Sequence, residues 1–327
     1  MRIALINSGI GLLAPAAALR RMQPDADLIL APDPDGMPWG PRTPDDIADR
    51  ALGCARATLK YRPDILVMAC NTGSVHALDA MRAEFEPGLP VIGTVPAIKP
   101  AAAAYQKVAI WATVATTASA YQRRLIAEFG GSADVTPVAC PGLADAVDAG
   151  DRAATAAAVA TAAASTPAGC EAVVLGCTEY ELVAGQIREA IPGAVTFGSA
   201  AAVAAQALRR LPAASWVAWD GGGDLRSGAI GDAAIELDSE PTAVPAAALT
   251  YHVQQQAGQD ALDPAAAGAG NARLSRDPGT VRVLLSGRPS GLPQAALRYP
   301  EGRLLAPFVV VDDEHDPALG VRPATGH

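Results

Sequence analysis

Aromatic residues make up only 4% of the 327 positions in this chain, and no apolar run approaches the length of a bilayer-spanning helix, which takes ~18 residues or more. The opening run Met1–Asn7 is short and meets glycine at once. It lacks the longer apolar stretch and cleavage site of a signal peptide. The expectation is a cytoplasmic protein with no membrane partner. The five cysteines are odd in number, and they form neither a CxxC pair nor a His/Cys spacing that would chelate a metal. Such a set fits reduced thiols better than a disulfide framework. No basic stripe with interleaved aromatics occurs, and the formal net charge is −9. That balance argues against nucleic acid as a partner. An anionic small molecule stays open, because backbone N–H groups at helix ends bind carboxylates locally.

What the chain does have is apolar residues, at 50%, and a length that suits about two domains. Alanine runs at 101–104, 156–164 and 200–205 fall within plausible helices. Residues 2–6 read as a buried strand, and Ser8-Gly9-Ile10-Gly11 as a tight turn into a helix near 12–22. Thr43-Pro44-Asp45-Asp46 is a strong helix start, with Thr as the cap, Pro in the first turn and acids near the positive end. A strand at 64–69, a helix from 72 to 86 and a strand at 91–94 follow. The second half repeats the scheme: strands at 108–111, 135–140, 172–175 and 195–197, and helices at 119–129, 153–164, 181–190 and 199–210. This alternation predicts parallel sheets covered by helices. Past Leu211 the chain turns rich in Gly, Ala, Pro and Asp, with strand-like pieces at 216–219, 234–237 and 248–253. A clearer strand at 281–285 and a short helix at 292–299 come later. The acidic end, 312–327, reads as a solvated tail.

Two near-matching phrases stand in the two halves. One is Asp64-Ile-Leu-Val-Met-Ala-Cys70-Asn71-Thr72, the other Glu171-Ala-Val-Val-Leu-Gly-Cys177-Thr178-Glu179. Each is an apolar run ending in a thiol, then small polar residues, then a helical pattern. A thiol at the carboxyl end of a parallel strand and the start of a helix is placed for reactivity, because the helix end favours the thiolate. Ligands of open α/β sheets bind at that end. N–H groups near Asn71, Thr72, Thr178 and Glu179 could hold a carboxylate between two sulfurs. Such a site suits moving a proton from one face of a carbon to the other.

With these phrases go Asn7-Ser8-Gly9, Pro38-Trp39-Gly40, Val91-Ile-Gly-Thr-Val-Pro-Ala-Ile-Lys-Pro100, Ala115-Thr116, Ser119-Ala-Tyr121 and Cys140-Pro141. In this order, over about residues 1–212, the chain resembles the cofactor-independent aspartate/glutamate racemase superfamily, and most of all its glutamate racemases. The resemblance implies an α/β fold of two pseudo-symmetric parallel-sheet sandwich halves, with the site in the cleft between them. It places one half at 1–98, the other at 99–196 and a return to the first at 197–212. Residues 213–327 are then an atypical C-terminal extension, with a family-like strand and helix at 281–299.

The resemblance also implies two-base racemisation. One cysteine thiolate removes the α-proton and the opposite thiol returns one to the other face, with no pyridoxal phosphate and no metal. Cys70 and Cys177 would be the catalytic pair, assisted by the residues at Asn7 and Glu179. Ser8, Pro38, Trp39, Gly40, Asn71, Thr72, Thr116 and Thr178 would contact a small acidic amino acid. Trp39 stands where the family usually has Tyr, keeping an aromatic wall without the phenol. Asn7 replaces the family's Asp, and an amide cannot accept a proton. Glu179 replaces the His of glutamate racemases and resembles aspartate racemases there; its charge disfavours a neighbouring thiolate.

Other titratable residues have plainer readings. Cys54, Cys140 and Cys170 read as small buried hydrophobes, and His76 as a surface or packing residue. Asp148 aligns loosely with an auxiliary acid of some racemases, and packing is favoured for it. The leading expectation is interconversion of L- and D-glutamate for peptidoglycan. Another acidic substrate such as aspartate is the nearest alternative. A homologue that binds an amino acid or protein partner without catalysis is the alternative of a different class. A homodimer is an assembly the sequence allows.

Overall fold

The structure is a computed structural model that describes residues 1–211 and 278–311. All of these belong to one compact unit. The strand-like pieces expected between 216 and 253, and the acidic end from 312, lie outside the described residues.

Among the described residues, ten strands form two sheets. They are β1 Arg2–Asn7, β2 Asp27–Pro32, β3 Ile65–Met68, β4 Val91–Ile92, β5 Lys107–Ala112, β6 Asp134–Ala139, β7 Ala172–Leu175, β8 Val195–Phe197, β9 Val281–Leu285 and β10 Arg288–Ser290. The first sheet has the order β10-β9-β2-β1-β3-β4 and the second β6-β5-β7-β8. Within each half, therefore, the second strand lies beside the first, then come the third and fourth. All neighbours are parallel except the β9–β10 hairpin. This repeated order is the pseudo-symmetry that the repeated phrases imply. It sets Cys70 after β3 and Cys177 after β7, two equivalent strands.

The inner strands β1, β3 and β7 are apolar runs buried on both faces, as in a helix-covered parallel sheet. Ile3, Ala4, Leu5 and Ile6 are all fully buried. The helix Pro44–Thr58 starts as expected: the Thr43 hydroxyl accepts from Asp46 N at 3.3 Å, a cap worth about 1 kcal/mol. The helix Ala200–Arg210 packs on the first-half helix Leu13–Met22. At its start, Glu181 of the second half accepts from Ser199 N (2.8 Å), Ser199 Oγ (2.9 Å) and Ala200 N (3.0 Å). That carboxylate satisfies free N–H groups where the chain crosses between halves.

Several elements differ from the sequence expectations, beside the added strand β10 and the helix Val114–Ala118. The strand Asp27–Pro32 and the helix Leu143–Ala149 are additional to them. The helix expected over 72–86 is two, Asn71–His76 and Leu78–Phe85. Ser74 breaks it: its hydroxyl donates toward Cys70 O (2.8 Å) and accepts from Thr94 N (2.8 Å), and Ala77 sits off helical geometry at φ −116°. The helix expected over 292–299 is a 3-10 turn, Ala296–Arg298, followed by the helix Pro300–Leu305. Pro300 is pre-set for the first turn of a helix, which explains the later start. No helix among the described residues is long and apolar enough to cross a membrane.

Candidate active site

Cys70 and Cys177 converge where the carboxyl ends of the two sheets meet. β1 brings Asn7 to the floor between them. Asn7 is fully buried, and its amide donates to Ala69 O (2.6 Å), just before Cys70, and to Thr178 Oγ1 (3.1 Å), just after Cys177. One side chain thus joins the two cysteine phrases across the halves. Its oxygen accepts from Ser8 Oγ (3.2 Å) and Gly9 N (3.3 Å). Asn7 is a fully committed structural group, with no proton-accepting function left over.

Cys70 is 5% exposed, and its sulfur accepts the Gly73 N–H at 3.4 Å and lies 3.9 Å from Ser8 Oγ. Cys177 is half-buried, and its thiol donates to Glu179 Oε2 at 2.8 Å. Thr178 donates to the same oxygen at 3.3 Å. Glu179 is 3% exposed, and its Oε1 has no hydrogen-bond partner.

The helix ends do not lower the thiol pKa values, contrary to the sequence expectation. Burial raises Cys70 from an ordinary 9.0 to about 11, and the charge of Glu179 adds to it; the N–H groups of Gly73 and Ser8 oppose the rise without cancelling it. Burial likewise holds Cys177 well above the ordinary thiol range, reinforced by Glu179 and by Cys70. Desolvation and a buried carboxylate outweigh the ends of helices only six and four residues long.

Asp148 belongs to this site, against the packing role favoured from sequence. Its carboxylate accepts from Ile10 N at 2.8 Å, and burial, then the charge of Glu179, push its pKa well above the carboxylate range. The two acids flank the turn Gly9-Ile10-Gly11. A Cβ on Gly9 would collide with Asp148, and one on Gly11 would lie 2.6 Å from Glu179 Oε1. Glycine is required there because the acids fill the space.

Asn71 is 5% exposed, and neither polar atom of its side chain has a partner. Thr72 follows it, partly exposed. Thr116, on the short helix Val114–Ala118, accepts from the Thr113 hydroxyl at 3.0 Å. Pro38 is exposed, and a Cβ added to Gly40 would stand 3.8 Å from Ala115 Cβ, so this first-half loop reaches the second half beside Thr116. Trp39 departs from the expected substrate wall. It is 1% exposed, packed in the core with Met68, and its indole N–H donates inward to Asp33 Oδ2 at 3.0 Å. A buried carboxylate six residues earlier holds the indole N–H.

Cys54, Cys140 and Cys170 are all buried, and burial raises the first two to about 12. No group of three or more His, Cys, Asp or Glu side chains among the described residues is placed to hold a metal ion.

The family model for Asp/Glu/Hydantoin racemase matches residues 12–207. This chain belongs to that family. The racemase-family chain is 35% identical over 218 residues to glutamate racemase of Herpetosiphon aurantiacus, covering 65% of this chain and 85% of that one. It is 33% identical over 214 residues to glutamate racemase of a Pseudomonas putida strain, covering 64% and 80%. Among solved structures, Escherichia coli glutamate racemase in complex with L-glutamate and activator UDP-MurNAc-ala superposes with a TM-score of 0.60 at 28% identity, covering 64% and 81%. Glutamate racemase from Aquifex pyrophilus superposes with a TM-score of 0.52 at 31% identity, covering 65% and 84%. The racemase is thus an isomerase of the amino-acid racemase class, built on the expected two-sheet α/β fold.

Proposed function

We propose that this racemase interconverts L- and D-glutamate by a two-base mechanism at Cys70 and Cys177, without a cofactor. The observation that carries the reading is the convergence of two sulfurs from equivalent strands, tied by Asn7, beside the unpartnered polar atoms of Asn71. Those atoms offer a donor and an acceptor to the α-carboxylate and α-ammonium of an amino acid. Ser8, Pro38, Gly40, Thr72, Thr116 and Thr178 complete the substrate contacts. The relatives and the solved structures named glutamate racemase support glutamate as substrate. D-glutamate would then serve peptidoglycan synthesis in the cytoplasm.

The proposed proton path uses the Cys177–Glu179 contact. Cys177 passes its proton to Glu179 across 2.8 Å, giving a thiolate and a neutral carboxyl. This transfer leaves the single negative charge of the pair unchanged and buries no further charge; the charge then passes to the carbanion and on to Cys70. The thiolate removes the α-proton, and the Cys70 thiol protonates the opposite face. Exclusion of water from the closed cleft and hydrogen bonds to the substrate carboxylate hold the carbanion between the two steps. In the reverse direction Cys70 has no proton acceptor in Asn7, and its thiolate is supported by the Gly73 and Ser8 N–H groups.

Glu179 favours a second reading, with aspartate as substrate. NMR of α-proton exchange in D2O, with both enantiomers of glutamate and aspartate, separates the two. Exchange with inversion of glutamate is expected. Exchange confined to aspartate would support the second reading, and no exchange in folded, reduced protein would overturn both. Cys70→Ala and Cys177→Ala should each abolish inversion; full activity in either would end the two-base mechanism.

A further inference from the structure

We propose that Ser286, in the turn of the β9–β10 hairpin, is a positioning residue for the Cys70 sulfur. The inference rests on Cys70 being a base of the proposed reaction. Ser286 lies far from the cysteine in sequence and touches no substrate residue directly. It acts through a chain of contacts that runs from the partly exposed turn to the buried Trp39 and Gly73. Its hydroxyl donates to Asp33 Oδ1 at 2.8 Å and accepts from Asp35 N at 3.1 Å, while its own N–H holds Pro32 O at 2.9 Å. Asp33, 3% exposed, uses its other oxygen to accept the Trp39 indole N–H at 3.0 Å and Arg50 Nη1 at 3.2 Å. The far edge of the Trp39 ring lies against Gly73: a Cβ there would stand 3.0 Å from Cζ3 and would collide with Met68. Gly73 in turn donates its N–H to Cys70 Sγ at 3.4 Å.

Each link has one arrangement. Oδ1 of Asp33 faces Ser286 and Oδ2 faces Trp39 and Arg50, so the carboxylate plane is set by the hydroxyl on one side and the donors on the other. Removing the hydroxyl frees the carboxylate to turn toward Arg50, away from the indole. The ring then loses the bond that seats it against Gly73. An N–H donor to sulfur works only over a narrow range of distance and angle, so a small shift of this turn costs the thiolate its support.

The residue type at 286 points the same way. Ser286 has φ +45° and Gly287 φ +82°. Two consecutive positive φ values in a two-residue hairpin turn favour Asn-Gly or Gly-Gly. A serine in the left-handed region is unfavourable for the turn, and its hydroxyl is the part used by Asp33.

That strain makes a clean test. Ser286→Gly removes the hydroxyl while relaxing the turn, so strain relief offsets part of the lost hydrogen bond, and a cooperative melt shows that the variant is folded. The readout is iodoacetamide labelling of Cys70 relative to Cys177 in the same sample, by peptide mass spectrometry over a pH series. We expect the Cys70/Cys177 ratio to fall about threefold or more through loss of thiolate support. The kcat for glutamate should fall while KM stays within about twofold. Trp39→Phe, which keeps a ring but removes the indole N–H, should shift the ratio the same way. An unchanged ratio in Ser286→Gly would overturn the proposal. So would a shift in Ser286→Gly with none in Trp39→Phe, because the route would not pass through Asp33. Absence of α-proton exchange in the wild type would instead sink the racemase reading, while the labelling ratio would still report on the contact chain.

Discussion

Replacing Glu179 by Gln should make a site cysteine more reactive and the enzyme slower. Burial and Glu179 together raise Cys70 from 9.0 to about 11, burial being the larger cause. Glu179 is the smaller of the two raising causes, and the Gly73 and Ser8 hydrogen bonds oppose both. Glu179→Gln keeps the volume and an acceptor oxygen while removing the charge. The Cys70 thiolate population near neutral pH should rise several-fold. Alkylation of the Cys70 peptide should accelerate by the same factor. Catalysis should move the other way, because the Cys177 thiol, 2.8 Å from this carboxylate, loses its proton acceptor. Loss of a positioned general base costs about a hundredfold or more. Paired measurements of alkylation and of α-proton exchange in D2O check both arms. Exchange within threefold of wild type, or slower alkylation of Cys70, would refute the assignment of Glu179 as proton acceptor.

Two further outcomes follow from the acids at the floor. Gly11→Ala places a methyl 2.6 Å from Glu179 Oε1 and into Thr178; a loss of about 1–3 kcal/mol in stability and a fall in exchange are expected, and a denaturant melt with wild-type midpoint would contradict the tight fit. Asp148 has a folded pKa above its unfolded one, so the stability it lends is fully present below the ordinary 3.8 and is lost as pH rises through the raised value. Asp148→Asn keeps an acceptor for Ile10 N and does not titrate, so its melting temperature should exceed wild type by a margin that grows with pH. A constant margin across a scanning-fluorimetry pH series would count against a raised Asp148.

The alternation of strands and helices was legible because strands buried on both faces read as unbroken apolar runs, and the site was legible because two such runs end in the same thiol phrase. What escaped depends on contacts between distant segments. The helix break at Ala77 comes from Ser74 bonding to the strand end and to Thr94. Asp148 meets Ile10, 138 residues away, so a loose family alignment was its sole sequence signal. Trp39 looks like a cleft residue until the buried Asp33 carboxylate claims its N–H. The expected drop in thiol pKa rested on the local helix end alone; burial and Glu179 are tertiary and run the opposite way. Asn7 read as a defective base, and its two donated bonds show it to be a tie between the cysteine phrases.

The two halves repeat one strand order, yet their sulfurs rest in unlike company, Cys70 beside a neutral amide and Cys177 beside a carboxylate. In an achiral solvent the enantiomers of a free amino acid have equal free energies, so the equilibrium mixture is even whatever the enzyme looks like. The unlike surroundings can therefore leave no trace in the final product ratio. They are recorded only in the protein itself, in which sulfur holds the proton when each enantiomer departs.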